Sequence, residues 1–258
     1  MIPPRILSTE KIKLIAFDAD DTLWVNEPMF VDVQQKMIAL LSVHVDADTI
    51  TRRFYETQIR NLKFFGYGAK AFTLSMIETA LELTHNEVTG AEIQQIMDIG
   101  RSLMGFPIER LDGVDEVLDY LTPRYDLMVL TKGDLFDQES KIARSGLGHY
   151  FRHVEIVSEK DEATYERIIR RYGLQPDEFL MIGNSLKSDV LPVLHVGGQA
   201  IHIPYEITWA HEQVSESKLE GKSYLTLSGI RELMSVIPVL QPGQKSETRV
   251  AKATASGR

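Results

Sequence analysis

Five short runs of apolar residues punctuate the chain, at 12–17, 127–131, 154–157, 179–182 and 199–203. Near-continuous apolar runs of this length predict strands buried on both faces, as in a parallel sheet. Between them the apolar spacing changes to the helical period. Val114, Val117, Leu118 and Leu121 form one stripe; Tyr165, Ile168, Ile169 and Tyr172 form another, closed by Gly173. Strand and helix in alternation predict a doubly wound, mainly parallel α/β core.

One stretch breaks the alternation. Residues 26–107 show no good strand pattern and four helical ones. The first carries Phe30, Val33, Met37, Leu40 and Leu41. The second covers about 48–62 and stops before Gly66. The third carries Phe72, Met76, Ile77, Ala80 and Leu81. The fourth opens at Thr89 with Glu92 three residues on, a capping box, and carries Ile93, Ile96 and Met97. The expected organisation is a core of 1–25 and 108–240, a helical insertion of 26–107 after the first core strand, and a polar, flexible tail at 241–258. No internal repeat is evident.

Composition narrows the function classes. The 258 residues suit one large domain, or a core with an insertion. A net charge of −9 argues against a general nucleic-acid binder, though not against a small phosphorylated ligand held by local positive charge. With no cysteine, disulfides, thiolate metal sites and cysteine nucleophiles are excluded. The first ten residues show no signal-peptide pattern, and no apolar run approaches the ~18 residues that span a bilayer. A cytoplasmic protein is expected, and the sequence gives no reading of oligomeric state.

The richest chemistry follows the first run, in Leu14-Ile-Ala-Phe-Asp18-Ala-Asp20-Asp21-Thr22. Parallel α/β proteins bind ligands at the carboxyl ends of their strands. Clustered carboxylates repel one another unless a cation neutralises them, and oxygen ligands of this kind suit Mg²⁺. An isolated Asp-x-Asp is equally a polar turn; the strand before it and Thr22-Leu23 after it favour a site.

With its neighbours this run resembles the opening motif of phosphatases in the haloacid dehalogenase superfamily, and the later family motifs follow in order. The resemblance implies a Rossmann-like core under an α-helical cap and a Mg²⁺-dependent phosphatase acting on a small phosphorylated metabolite. It implies that Asp18 attacks phosphorus and forms an aspartyl-phosphate. Asp20 would protonate the leaving oxygen, then activate water, and lend its main-chain oxygen to the metal. An acid at Asp20 points to phosphoryl transfer, since the superfamily's dehalogenases lack one there. Many relatives have Gly where this chain has Asp21, which reads as a turn or supporting residue.

Thr131 and Lys160 match the family's phosphate-holding hydroxyl and lysine, and Gly133 allows a tight turn. Lys132, where many relatives have Asn, either adds positive charge to bind phosphate or is a solvated lysine whose N–H alone matters. Gly183-Asn184-Ser185-Leu-Lys187-Ser-Asp189 resembles the last motif, with Asn184 replacing its first acid. Asn184 and Asp189 complete the expected metal set with Asp18 and Asp20. Asp189 has a second reading as the N-cap of the next helix; Ser185 and Lys187 read as structural. Residues 60–70 mix Arg60, Lys63, Tyr67 and Lys70 with glycines, which suits either substrate contact or an ordinary helix–helix turn with packed aromatics. His195 reads as structural, and His202 and His211 show no clear chemistry. Competing functions are a phosphomutase on the same scaffold, a non-catalytic binding protein, which Asn184 encourages, and, more distantly, a dehalogenase.

Overall fold

The computed structural model describes residues 9–237. The expected tail at 241–258 lies outside them. Six strands form one sheet in the order β3-β2-β1-β4-β5-β6, and every pairing is parallel. They are β1 Leu14–Phe17, β2 Asp126–Lys132, β3 His153–Val157, β4 Phe179–Gly183, β5 Gln199–His202 and β6 Leu225–Thr226. Strand order reverses at β1, which places a crevice at the carboxyl ends of β1 and β4.

Burial of β1 on both faces explains its unbroken apolar run. Ile15 and Phe17 pack on one side with helix α5, Val114–Leu121, through Val114, Val117 and Leu118. Leu14 and Ala16 pack on the other with α7, Glu162–Arg171, through Tyr165, Ile168 and Ile169. Each buried Leu, Ile, Val or Phe among them contributes about 1.5–3 kcal/mol. Two strands depart from the expected pattern. β3 is an edge strand, with Val154 44 % exposed, so only part of its run is buried. β6, two residues long, is too short to leave a hydrophobic signature.

Between β1 and α5 lie four helices: α1 Glu27–Leu41, α2 Ala47–Phe65, α3 Ala69–Leu83 and α4 Gly90–Gly105. They share a separate apolar cluster built on Val33, Met37, Ile50, Phe54, Met76 and Ile96. The capping box forms at α4, with the Thr89 and Glu92 side chains each accepting from the other's backbone N–H. The chain leaves and re-enters the core side by side: Val25 N–H donates to Glu109 and Leu111 N–H to Leu23, at 2.9 and 3.0 Å. Among the described residues no helix is long and apolar enough to cross a membrane.

Candidate active site

Register sets the site. Phe17 lies level with Val129 of β2 and Ile182 of β4, so Asp18, Thr131 and Asn184 emerge at the same sheet edge. Asp18 N–H donates to the Ile182 carbonyl at 2.9 Å, extending the ladder one residue past β1. A tight turn follows, in which Asp21 adopts φ 59°. That conformation favours Gly, and Asp is among the residues that tolerate it. Asp21 compensates through its carboxylate, which accepts from the Asn26 and Glu27 N–H groups at the start of α1. It is therefore a turn and helix-start residue. Burial lifts its carboxyl to about 7, against the lowering effect of those two hydrogen bonds.

Lys160 ties the first and last motifs together. Its ammonium, 2 % exposed, donates to Asp18 Oδ1 at 2.6 Å and to Asp189 Oδ1 at 2.7 Å. Asp18 Oδ2 meets no hydrogen-bond partner among the described residues, and Asp18 lines the central cavity. Burial pushes Asp18 up to about 7; Lys160 pulls it down, and Asp189 and Asp20 push it up. Lys160 itself stands above the ordinary lysine range. Burial opposes its charge, but attraction to Asp18 and Asp189 outweighs that. Two buried carboxylates thus share one ammonium.

Asp189 is not a helix N-cap. It sits inside a turn of π-helix, Leu186–Val190, whose cap is Ser185, accepting from Ser188 N–H. Asp189 Oδ2 instead accepts from Ser185 N–H at 3.0 Å. A side chain at Gly183 would bring a Cβ within 2.2 Å of Asp189 Oδ2, so Asp189 occupies the space that glycine leaves. His202 Nε2 lies 3.0 Å from the Asn184 carbonyl and steadies this loop.

Asp20 is held by partners that its own motif does not reveal. Trp24 Nε1 donates to Oδ1 at 2.7 Å and Gln138 Nε2 to Oδ2 at 2.9 Å. Lys141, a buried lysine, reaches both oxygens at 3.1 and 3.2 Å and Asn26 Oδ1 at 2.7 Å. Gln138 and Lys141 stand three apart on one face of α6, Leu135–Ser145, which directly follows β2.

Lys132 is not solvated. Its ammonium donates to Glu212 at 2.7 Å and Ser188 at 2.8 Å and lies 4.4 Å from the Tyr67 ring centre. Its charge thus faces Glu212, on the loop after β5 that also brings Ile207, Thr208 and Trp209 to the cavity. Burial alone would raise Glu212; attraction to Lys132 and hydrogen bonds from Lys132, Ser185 and Ser188 bring it down to about 2.

The α2–α3 turn joins the helical layer to the core. Tyr67 hydroxyl donates to Glu159 at 2.7 Å, and Lys70 pairs with Asp134 at 2.9 Å. The other cations of residues 60–70 face elsewhere: Arg60 pairs with Glu78 and Glu82, and Lys63 lies over Phe64. Phe64 and Phe65 are 68 % and 51 % exposed, so they do not pack in the helical core. The resulting cavity, about 210 Å³, has a floor of Asp18, Thr131, Lys160 and Asp189 and walls from α1, α2 and α3.

The donor set suits a hard divalent cation. Asp18 and Asp189 carry more negative charge than Lys160 offsets, and every available donor is oxygen. No group of three or more His, Cys, Asp or Glu side chains among the described residues could hold a metal alone. The Asn184 amide oxygen and the Asp20 main-chain oxygen would have to complete the set, with water filling the rest, which fits Mg²⁺.

Residues 12–197 match a family model described as haloacid dehalogenase-like hydrolase. A solved structure of a haloacid dehalogenase-like family hydrolase from Xanthomonas campestris is 44 % identical, with a TM-score of 0.74 over 81 % of this chain and 88 % of that one. Two curated relatives are glyceraldehyde 3-phosphate phosphatases. The one from Pyrococcus furiosus is 24 % identical over 93 % of this chain and 98 % of its own length. The one from Methanothermobacter thermautotrophicus is 28 % identical over 46 % of this chain, a match spanning about half, 55 %, of that protein.

Proposed function

Because the chain belongs to the haloacid dehalogenase-like hydrolase family, we propose that it is a Mg²⁺-dependent phosphatase that hydrolyses a small phosphorylated metabolite through an aspartyl-phosphate on Asp18. The observation that carries this reading is the state of Asp18: one carboxylate oxygen is fixed by Lys160, the other accepts no hydrogen bond among the described residues, and the residue lines the cavity. That is the geometry of a poised nucleophile.

The free oxygen of Asp18 attacks phosphorus in line with the leaving oxygen. Thr131 hydroxyl, the N–H of Lys132 that follows it, and the Lys160 ammonium hold the equatorial phosphoryl oxygens as charge spreads over them. Asp20 gives its proton to the departing alkoxide, so the alcohol leaves neutral. It then takes a proton from the water that hydrolyses the aspartyl-phosphate, returning both carboxyls to their starting states. Trp24, Gln138 and Lys141 fix the orientation of Asp20 for both proton transfers. Mg²⁺, held by Asp18, the Asp20 main-chain oxygen, Asn184 and Asp189, would supply positive charge against the phosphoryl oxygens. The helical layer acts as the cap, excluding water from the cavity beneath Phe30 and Phe72 while the phosphoryl group moves.

The test is hydrolysis of p-nitrophenyl phosphate with and without Mg²⁺. Asp18→Asn is expected to lower kcat by at least about 10³-fold, as for loss of a covalent nucleophile. Full turnover in that variant removes Asp18 from the nucleophile role.

A further inference from the structure

The part of the cavity remote from Asp18 offers no free cation among the described residues. The lysines on its wall are Lys132, Lys141 and Lys160, all from the core. Each is already bound to carboxylate, on Glu212, on Asp20, and on Asp18 with Asp189. The helical layer contributes Gln34, Gln58, Asn61 and Ser75 between phenylalanines, and a further carboxyl, Glu27.

Gln58 is the informative member. It is 9 % exposed, lines the cavity, and its amide meets no hydrogen-bond partner among the described residues. That amide is open to the cavity and is not sealed in the protein, so a ligand offering both a donor and an acceptor can take the place of water there. Asn61, also buried, donates to Ser75 at 3.2 Å and to Glu78 at 2.6 Å, which leaves its amide oxygen as an acceptor on the same wall. A second carboxylate or phosphate on the substrate would lose its hydration here against no free cation, and would face Glu27. Hydroxyl and carbonyl groups only exchange water for the amides.

We propose that this cavity selects monophosphate esters whose alcohol part is uncharged and polar, with hydroxyl or carbonyl groups read by Gln58, and rejects esters that carry a second anion. This selectivity rests on the phosphatase reading above.

The test compares kcat/KM for esters matched in size that differ by one carboxylate. Glyceraldehyde 3-phosphate is set against 3-phosphoglycerate, and ribose 5-phosphate against 5-phosphoribonate. The uncharged member of each pair is expected to be favoured by at least about 10-fold. Gln58→Lys is expected to narrow that ratio about 10-fold, chiefly through the KM of the carboxylated member. Gln58→Ala is expected to raise KM for the uncharged member more than it lowers kcat. Circular dichroism establishes folding, and Gln34→Lys, half-buried on the same wall, repeats the charge test should Gln58→Lys fail to fold. Carboxylated members within about threefold of their partners, or a ratio that neither lysine variant moves, overturn the proposal. p-Nitrophenyl phosphate is run in parallel. If it is hydrolysed while the ratio stays near one, selectivity fails and the phosphatase reading stands. If no ester releases phosphate, both fall together.

Discussion

Replacing Glu212 by Gln tests the electrostatics of the loop over the site. In the native protein the Glu212 carboxylate, 14 % exposed, is bound by Lys132, Ser185 and Ser188. Burial alone would raise its pKa; those partners bring it from an ordinary 4.5 down to about 2. A group whose folded pKa is depressed contributes stability above its unfolded pKa and loses it as pH falls through the folded one. The gap corresponds to at most ~3 kcal/mol, present in full above pH 5 and lost between pH 4.5 and 2. Gln is shaped like the protonated acid, so the variant should behave as though that contribution were already absent. It also leaves the Lys132 ammonium with Glu159 at 3.4 Å as its remaining carboxylate. Urea unfolding of both proteins at pH 7, 5 and 3.5 measures the difference. The native protein should lead by up to ~3 kcal/mol at pH 7, and by pH 3.5 roughly 1 kcal/mol of that lead should have gone. A lead that stays constant from pH 7 to 3.5, or none at pH 7, refutes the argument.

Three further outcomes are expected. Lys141→Met should lower kcat for p-nitrophenyl phosphate by about 10- to 100-fold with little change in KM, since Lys141 orients Asp20 and lies opposite its carboxylate; a KM effect alone would assign Lys141 to ground-state binding. Gly183→Ala should cost ~1–3 kcal/mol in thermal or urea unfolding and cut activity more than 10-fold, because its Cβ would stand 2.2 Å from Asp189 Oδ2; an unperturbed variant would mean Asp189 moves freely. Asn184→Asp should lower the Mg²⁺ concentration for half-maximal activity by about 10-fold, as it restores a carboxylate to the oxygen set; an unchanged or weaker requirement would place the cation away from residue 184.

The parts of this site visible in the sequence share one physical origin. Asp18, Thr131, Lys160 and Asn184 each stand at or just beyond the end of a strand, and β1, β2 and β4 declare themselves through unbroken apolar runs because both their faces are buried. The Gly sometimes found at Asp21 is explained by the turn's φ of 59°, and the Asp itself by the two α1 N–H groups it accepts. What escaped the sequence lies off the strand ends. Gln138 and Lys141 are interior residues of a helix, where a charged position normally means a solvated face; only their three-residue spacing on the helix after Thr131 hinted at a shared direction. Glu212 sits in a loop of no regular period and is 80 residues from its lysine. Neither sequence reading of Lys132, as phosphate-binding charge or as solvated lysine, contains this ion pair, because its partner cannot be inferred from the chain order. Asp189 as a helix cap was a sound local reading that lost to the space left by Gly183 and the ammonium of Lys160.

These concealed residues change how the site handles charge. Asp18, Asp20, Asp189 and Glu212 are four carboxylates around three lysines, and no lysine is idle. A phosphoryl group entering this setting brings further negative charge to a place where Lys160 already serves two acids and burial lifts Asp18 to about 7. An added cation beside Asp18 would restore the balance and keep its carboxylate ionised for attack. Lys132, held by Glu212, cannot take that part unless the loop bearing Trp209 moves. The loop after β5 and the α2–α3 turn meet at Tyr67, 6.2 Å ring to ring from Trp209, and both contact Lys132, through Glu212 and Tyr67. Lys132, Glu212 and Tyr67 thus form one cluster that no single sequence motif contains.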